Sequence, residues 1–294
     1  MILAAIDIGS NAARLLISEV VTNGNGKPIF NKLNLVRVPL RLGFDVFEKK
    51  KISAERALMM FETMAAFKSL CAAYKVEEVI ACATSAMRDA ENSAEIIEEI
   101  KARTGISIEV ISGDVEANMI YENHVAENLT KDFSYLYIDV GGGSTELSFF
   151  ANGTLFSKRS FNIGTIRLLK NLVHDKEWDE MKNHIKQVTK GQRSVVAIGS
   201  GGNINKVFSL SKKKDGKPIH IDLLRDYYHE LESVPLSERI SRYNLRADRA
   251  DVIVPALSIY INVMRWAGAD EIFVPKIGLA DGLIQHLWEK VSRK

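Results

Sequence analysis

Two short motifs combine an acidic residue with glycine, hydroxyl and amide residues, and this combination suits the binding of phosphate. Asp7 precedes Gly9-Ser10-Asn11, and Asp139 precedes Gly141-Gly142-Gly143-Ser144-Thr145. Glycine lets the backbone approach a ligand closely, and successive N–H groups in a tight turn form an anion-binding nest. The serine, asparagine and threonine side chains add further donors. Two such loops predict a ligand with adjacent phosphate groups.

Acidic side chains beside a phosphate site point to a metal ion. Asp7 and Asp139 would repel a polyanion directly, unless a divalent cation neutralised them. Mg²⁺ suits this place because it binds few carboxylates and completes its shell with water and substrate oxygens. The alternative is that both aspartates only form turns, and the repetition of the motif argues against it.

Two further charged residues follow predicted strands in the first half. Arg88 comes soon after the strand Val79–Ala83, and its fork of donors suits phosphate oxygens. Glu116 follows the strand Ile106–Ile111 and lies in the first turn of a helix predicted from about Val115 to Asn128. Glu116 is either a general base that activates water or a charge that favours the helix dipole. Arg88 either binds phosphate or forms a surface ion pair, and sequence position leaves both choices open.

A glycine cluster, Gly199-Ser200-Gly201-Gly202, ends the predicted strand Val195–Ile198 in the second half. Three interpretations are open for it. The cluster could cradle a phosphate, contact a nucleotide, or let a helix pack closely against the strand.

The elements that must position these residues repeat along the chain. Each half opens with three apolar runs separated by turns, which predicts a meander of three strands. The six strands are Leu3–Ile8, Arg14–Val20 and Ile29–Val38 in the first half, and Leu136–Val140, Thr145–Phe150 and Leu155–Phe161 in the second. Helices and further strands then alternate, including a helix capped by Ser53 and a helical stretch from Thr165 to about Lys190. This duplication predicts two similar domains, 1–127 and 128–278, with the amphipathic tail at about 279–294 packed back on the first.

Composition excludes several classes of protein. The 294 residues are 46% hydrophobic and 26% charged, as in a soluble globular protein, and the net charge of +2 gives no basic excess for duplex nucleic acid. Cys71 and Cys82 are too few for a disulfide framework and favour a reducing compartment. The N-terminus lacks the basic region of a secretory signal, and no stretch approaches the roughly 20 apolar residues that span a bilayer. We therefore expect a cytoplasmic protein without a membrane partner.

Taken together, these motifs resemble the exopolyphosphatase and guanosine-pentaphosphate phosphohydrolase family, often called Ppx/GppA. The resemblance covers nearly the whole chain, and its strongest motifs occur in the family's order. They are Asp7-Ile8-Gly9-Ser10-Asn11 with Arg14-Leu15, Ala83-Thr84-Ser85-Ala86-Met87-Arg88, Ile111-Ser112-Gly113 with Glu116-Ala117, and Asp139-Val140-Gly141-Gly142-Gly143-Ser144-Thr145-Glu146-Leu147.

The resemblance implies a fold and a reaction. The family belongs to the actin-like, sugar-kinase and heat-shock ATPase superfamily, which implies an α/β protein of two ribonuclease-H-like domains with an interdomain cleft. The implied reaction is hydrolysis of a terminal phosphoanhydride, with Mg²⁺ or another divalent cation. It would release orthophosphate from polyphosphate or from guanosine pentaphosphate. A homodimer is expected from the resemblance alone.

Residue roles also carry over by position. Glu116 matches the family's catalytic base, Glu146 its water-positioning acid, and Arg88 a charge-neutralising phosphate ligand. The metal-associated acids are Asp139, Glu146 and Asp7. The phosphate-binding positions are Asp7, Gly9, Ser10, Asn11, Arg88, Gly141, Gly142, Gly143, Ser144 and Thr145.

The chain departs from the family pattern at several positions. Val115 stands where many members have a second acid, which makes the site less acidic, and Ala280-Asp281 replaces an Arg-Glu pair. Longer members carry further helical domains after the second half. Without such domains, shorter polyphosphates or a nucleotide are expected to be favoured as substrates.

Two other functions remain open at this level. One is an ATP-dependent kinase or ATPase of the same superfamily, with Gly199–Gly202 contacting adenosine. The other is a non-enzymatic sensor that binds guanosine tetraphosphate or pentaphosphate.

Overall fold

The computed structural model describes residues 1–116, 132–192 and 194–292. The chain divides into two compact units. The first contains Met1–Asn123 and Gly278–Lys294, and the second contains His124–Ile277. Most of the helix predicted between Val115 and Asn128 lies outside the described residues.

The first unit is built on a five-stranded sheet with the order β3-β2-β1-β4-β5. Its strands are β1 (Ile2–Ile8), β2 (Ala13–Thr22), β3 (Pro28–Val38), β4 (Glu78–Ala83) and β5 (Ile108–Val110). The first three strands pair antiparallel, whereas β4 and β5 join in parallel. Its helices are α1 (Gly43–Lys49), α2 (Ala54–Ala73), α3 (Ser85–Asp89), α4 (Ser93–Thr104) and, at the end of the chain, α12 (Leu279–Ser292). A further helix begins at residue 113.

Local sequence signals account for the ends of the helices in this unit. The Ser53 hydroxyl accepts a hydrogen bond from the Arg56 amide at 3.4 Å and caps α2, as predicted. Gly105 ends α4 with a φ of 76°, a left-handed conformation that glycine adopts without strain. The terminal helix α12 packs against β1, β2 and β4, which places its apolar face on the sheet.

A half-buried carboxylate connects α1 to the start of α2. Asp45 accepts hydrogen bonds from the Ser53 amide at 3.2 Å and from Arg56 Nε at 3.0 Å. Burial by itself raises the pKa of Asp45, but the hydrogen bonds from Ser53 and the charge of Arg56 outweigh it. The pKa therefore lies below its ordinary value of 3.8.

The lowered pKa predicts a pH-dependent contribution to stability. We expect Asp45→Asn to reduce the free energy of unfolding by about 1 kcal/mol at pH 7, because the ionised carboxylate is the form that the fold stabilises. This contribution is present above the unfolded pKa and is lost as the pH falls through the folded pKa. Urea unfolding at pH 7 and at pH values below 3.8 measures the difference.

The exposed Asp215, paired with Lys276 at 2.6 Å, is the control, and Asp215→Asn should change little. An equal loss at both pH values would contradict the assignment.

The second unit repeats the arrangement of the first. Its sheet has the order β10-β11-β9-β6-β7-β8. Its strands are β6 (Ser134–Val140), β7 (Thr145–Ala151), β8 (Thr154–Phe161), β9 (Val195–Ser200), β10 (Ile219–His220) and β11 (Glu271–Phe273). The opening strand, β6, pairs antiparallel with β7 and parallel with β9, just as β1 pairs with β2 and β4. The predicted duplication of an α/β fold is confirmed.

The helices of the second unit surround one hydrophobic core. They are α5 (Thr165–Leu169), α6 (Asp175–Thr189), α7 (Gly202–Leu210), α8 (Ile221–Ser233), α9 (Leu236–Arg242), α10 (Ala247–Ala250) and α11 (Ile253–Ala267). The largely buried α11 contacts α5, α6, α7 and α8 as well as β6 and β9, so it organises this core. Across the described ranges, no helix is both long enough and apolar enough to cross a bilayer.

The single helical stretch predicted from Thr165 to Lys190 is wrong. The chain forms α5 and α6 instead, because Asn171 adopts a left-handed φ of 54° and ends the first helix. A new helix then begins after His174, whose amide donates to the Glu177 carboxylate at 3.0 Å in a capping box.

Candidate functional site

The loop between β1 and β2 is anchored by its carbonyl groups. The Ser10 carbonyl accepts a hydrogen bond from the Gly43 amide at 2.8 Å, and the Asn11 carbonyl accepts one from the Arg41 amide at 2.9 Å. Both donors follow β3. Because the C=O and N–H groups of a trans peptide point in opposite directions, the amides of residues 11 and 12 point away from that segment.

The glycine loop between β6 and β7 is anchored in the same way. The carbonyls of Gly141-Gly142-Gly143 accept hydrogen bonds, in order, from the Thr165 amide at 3.0 Å, the Ile166 amide at 2.8 Å and Arg167 Nε at 2.8 Å. The three amides that follow these carbonyls, those of residues 142–144, therefore point away from α5. Successive amides with one direction form a nest that suits an anion.

Close packing fixes the position of this glycine loop. A Cβ atom at Gly164 would lie 2.4 Å from the carbonyl carbon of Gly143 and 2.5 Å from that of Gly142, so only glycine fits there. The Thr145 hydroxyl donates to the Ile163 carbonyl at 2.6 Å. Thr145 was predicted to bind phosphate. Its hydroxyl instead stabilises the loop through this bond to residue 163.

The predicted residues Ser10 and Arg88 are connected within the first unit. The hydroxyls of Ser10 and Ser85 share a hydrogen bond of 2.8 Å, which joins the loop to the first residue of α3. Arg88 lies on the same short helix and donates from Nη1 to the Ile111 carbonyl at 2.8 Å. Because its other donors extend from an exposed residue, Arg88 can still bind an anion.

Asp7 lies in a row of residues that crosses the first sheet. The register places Arg14 on β2 and Cys82 on β4 beside it. Asp7 is 3% exposed, and its Oδ2 accepts from Arg14 Nη1 at 2.7 Å. Burial raises the pKa of the Cys82 thiol to about 12, and the nearby charges of Glu109, Asp7 and Glu116 add to this effect. Cys82 is therefore a protonated core residue, and Asp7 is neutralised by an arginine.

Glu116 is held in the first turn of the helix that begins at residue 113. The Ser112 carbonyl accepts from the Glu116 amide at 2.9 Å, and the Ser112 hydroxyl accepts from the Val115 amide at 3.2 Å. The Glu116 side chain is largely buried, with 9% of the residue exposed. A glutamate that served only the helix dipole would normally remain solvated, so this burial favours a more specific role.

Asp139 and Glu146 form a pair of acids in the second unit. The register of β6 and β7 places them directly opposite each other, and their carboxylate oxygens lie within 4.8 Å. Glu146 is 2% exposed. Two buried or half-buried carboxylates at this spacing supply the oxygen ligands that Mg²⁺ prefers, and they could share one ion.

The sequence did not predict the roles of several supporting residues. The donors behind the two loops, such as Gly43 and Arg167, lie far along the chain from the loops that they fix. Ser160 and Ser200 hydrogen-bond to the acidic pair. The only signal for Ser200 was its place in the glycine cluster, and no motif singled out Ser160.

Comparison with known proteins identifies the family. The sequence model of the Ppx/GppA phosphatase family matches residues 20–291, which is most of the chain. The chain belongs to the Ppx/GppA phosphatase family. The resemblance seen in the sequence motifs is confirmed by this match.

Curated relatives of this Ppx/GppA protein are similar to it at low identity. The bifunctional 3-dehydroquinate synthase/phosphatase of Fusobacterium nucleatum is 28% identical over 99% of this chain and 47% of its own length. Exopolyphosphatase 1 of Mycobacterium tuberculosis is 29% identical over 50% of this chain and 42% of its own length. The guanosine-5′-triphosphate,3′-diphosphate pyrophosphatase of Aeromonas hydrophila is 24% identical over 97% of this chain and 59% of its own length. The chain spans about half the length of these relatives.

A solved structure covers the whole length of this Ppx/GppA protein. The crystal structure of the Aquifex aeolicus family member matches with a TM-score of 0.76 and 26% identity, over 99% of this chain and 98% of that one. An exopolyphosphatase from Cytophaga hutchinsonii has the same fold, with a TM-score of 0.84 at 24% identity.

Proposed function

We propose that this Ppx/GppA protein hydrolyses terminal phosphoanhydride bonds and releases orthophosphate. The observation that carries the proposal is the glycine loop at residues 141–144, whose amides are directed away from α5 by hydrogen bonds to its carbonyls. An anion-binding nest next to a pair of acids suits a substrate made of linked phosphates. Membership of a phosphatase family supports the same reaction.

Phosphate binding is assigned to the two anchored loops and one arginine. Asp7, at the end of β1, is followed by Gly9, Ser10 and Asn11 of the first loop, the second loop contains Gly141–Thr145, and Arg88 supplies a positive charge. Amides and a guanidinium bind phosphate oxygens through N–H groups in fixed directions. Their preorganisation stabilises the negative charge that develops during transfer.

A divalent cation, Mg²⁺ or a similar ion, is proposed to be held by Asp139 and Glu146. Their oxygens lie within 4.8 Å of each other, and such a donor set fits a hard cation. When bound, the cation neutralises charge on the phosphate oxygens. Asp7 was also predicted to be a metal ligand. Its ion pair with Arg14 at 2.7 Å makes an indirect role more suitable, in which it orients the arginine.

The attack on phosphorus is assigned to water activated by a glutamate. Glu116 is assigned the role of the general base that accepts the proton of the water, and Glu146 is assigned the role of a water-positioning acid. Arg88 neutralises charge on the transferred group. The burial of Glu116 restricts its side chain, and the hydrogen bonds at Ser112 fix the backbone that carries it, which supports this task.

The proposed substrates are inorganic polyphosphate and guanosine pentaphosphate, because relatives are named for exopolyphosphatase and for guanosine-5′-triphosphate,3′-diphosphate pyrophosphatase activity.

A cytoplasmic location is proposed because both cysteines are buried free thiols, which suits a reducing compartment. We also propose a homodimer, which analytical ultracentrifugation would test.

A parallel assay tests the reaction. The purified chain is incubated with polyphosphates of defined length, guanosine pentaphosphate or ATP, each with Mg²⁺ and with a chelator. We expect orthophosphate release from polyphosphate or guanosine pentaphosphate that depends on the metal. Binding without release from any substrate would indicate a sensor, and transfer from ATP to an acceptor would indicate a kinase. Either result would overturn the proposal.

A further inference from the structure

Four polar side chains form one row across the sheet of the second unit. The strand register places Ser160 opposite Glu146, Glu146 opposite Asp139, and Asp139 opposite Ser200. Residues directly opposite each other on neighbouring strands point to the same face of a sheet. The row therefore carries its two acids in the centre and a serine at each end, and it is called the carboxylate row below.

Each serine of the carboxylate row donates a hydrogen bond to the acid beside it. Ser200 Oγ donates to Asp139 Oδ1 at 2.5 Å, and Ser160 Oγ donates to Glu146 Oε1 at 2.9 Å. A hydroxyl that donates to a carboxylate makes a charge-assisted bond and fixes the orientation of the carboxylate. One carboxylate oxygen of Asp139 and one of Glu146 are thus each held by the serine at the adjacent end of the row.

The backbone around Ser200 is itself held firmly. Ser200 is fully buried, and its carbonyl accepts a hydrogen bond from the Tyr260 hydroxyl on α11. Gly201 follows with a φ of 112°, and a Cβ there would lie 3.4 Å from Asp139 Oδ1 and 3.1 Å from the Val140 carbonyl oxygen. The glycine cluster therefore lets β9 turn tightly beside Asp139, so that the serine hydroxyl reaches the carboxylate.

The corresponding row of the first unit has a different chemistry. Its register aligns Arg37, Arg14, Asp7 and Cys82. Here the acid forms an ion pair with Arg14, and its other neighbour is a protonated thiol. At the same position in the fold, the acid of the first unit is paired with an arginine, whereas the two acids of the second unit accept hydrogen bonds from serine hydroxyls.

We propose that Ser160 and Ser200 are positioning residues that orient Glu146 and Asp139 as ligands of a divalent cation. This inference rests on the proposed function, because it assumes that the acidic pair holds a metal ion. A neutral hydroxyl suits the role better than an arginine would, since it orients a carboxylate without cancelling the charge that attracts the cation. Donors behind metal-binding acids commonly change metal affinity about 10- to 100-fold when they are removed.

Direct metal binding provides the test. Mn²⁺ is titrated into the substrate-free, full chain, and free Mn²⁺ is measured by electron paramagnetic resonance. We expect Ser200→Ala and Ser160→Ala to weaken Mn²⁺ binding about 10- to 100-fold. Ser160 is only half-buried, so Ser160→Thr is expected to fit, to keep the hydroxyl and to restore wild-type affinity.

Ser148→Ala is the matched control. Ser148 lies on β7 two residues from Glu146, on the same face, and is also buried at 3% exposure, but it lies outside the carboxylate row. Unchanged Mn²⁺ affinity in both row variants would overturn the proposal, as would equal losses in Ser148→Ala and Ser160→Ala. Circular dichroism melting reports whether each variant folds. Ser160→Ala keeps the test decisive if the buried Ser200→Ala does not fold.

The outcome also separates this proposal from the proposed reaction. A wild-type chain that binds Mn²⁺ through the row but releases no phosphate would overturn the hydrolase alone. A chain that releases phosphate without binding Mn²⁺ would overturn the metal site and the positioning role, but it would leave the hydrolase activity standing.

Discussion

Replacing Glu116 with glutamine is expected to lower the rate of orthophosphate release by about 10²- to 10⁴-fold. Glutamine keeps the shape of the side chain and can still hydrogen-bond, but it cannot accept a proton from water. The substrate contacts assigned to the two loops and Arg88 remain, so KM should change far less than kcat. Steady-state kinetics on polyphosphate or guanosine pentaphosphate, with thermal melting to verify the fold, measure this effect.

Glu109→Gln is the matched control for this variant. Glu109 lies on β5 in the same unit, and its charge, like that of Glu116, raises the pKa of Cys82. The two substitutions therefore remove similar charge from the same region, but Glu109 is exposed and has no role in the proposed reaction. If both variants lost activity equally, a general electrostatic effect would replace the general base. Full activity in Glu116→Gln would remove Glu116 from its role.

Features determined by a few neighbouring residues were predictable from the sequence. The sequence Asn152-Gly153 is typical of a two-residue hairpin turn, and both residues have positive φ, 53° and 77°, as the favoured turn requires. The caps at Ser53 and Gly105 follow equally local rules. Such signals depend on one backbone conformation or one hydrogen bond, so the rest of the fold hardly alters them.

Elements that depend on packing were less predictable. The hydrophobic pattern continues from Thr165 to Lys190, whereas the structure ends one helix before the left-handed Asn171 and begins another after His174. The short helices α1 and α3 and the two-residue strand β10 were not predicted. Helices of one or two turns are barely stable alone, because nucleation is costly and tertiary contacts must stabilise them.

The candidate site also combines features that the local sequence predicts with features that depend on the fold. The glycine loops and their acids are contiguous in sequence, so their chemistry was visible before the fold was known. The role of Ser200 was not, because three interpretations of its glycine cluster were open. The register of β6 against β9 brings Ser200 beside Asp139, where its hydroxyl donates to the carboxylate. Ser200 and Asp139 are 61 residues apart in the sequence, so the contact between them depends on how the strands pair.

Both units anchor their motif loop by the same device, which argues that the direction of the loop amides matters in each. In the first unit the donors are the amides of Arg41 and Gly43, just after β3. In the second they are groups of residues 165–167, just after β8. In each unit, the segment that follows the third strand (β3 or β8) therefore donates the hydrogen bonds that hold the loop after the first strand (β1 or β6). We therefore expect the loop to be sensitive to substitutions in the segment that donates these hydrogen bonds.

Gly164→Ala is therefore expected to cost about 10²-fold in catalytic efficiency, although residue 164 is not among the proposed ligands. The added Cβ would lie 2.4 Å from Gly143 and 2.5 Å from Gly142, and it would meet backbone atoms that cannot rotate away. The loop must shift, which redirects its amides and breaks hydrogen bonds to α5. Overpacking of this kind also lowers the free energy of unfolding, by about 1–3 kcal/mol. Phosphate-release kinetics and urea unfolding of the variant measure the two effects.

Gly24→Ala is the control, because a Cβ at Gly24 would meet no atom within 4 Å and its φ needs no glycine. It adds the same methyl group to a turn between β2 and β3, and both activity and stability should stay close to wild type. A Gly164→Ala protein that is destabilised but fully active when folded would show that the loop tolerates displacement. The direction of its amides would then not determine phosphate binding. A loss of activity that exceeds the fraction unfolded would instead connect catalysis to the geometry of the loop.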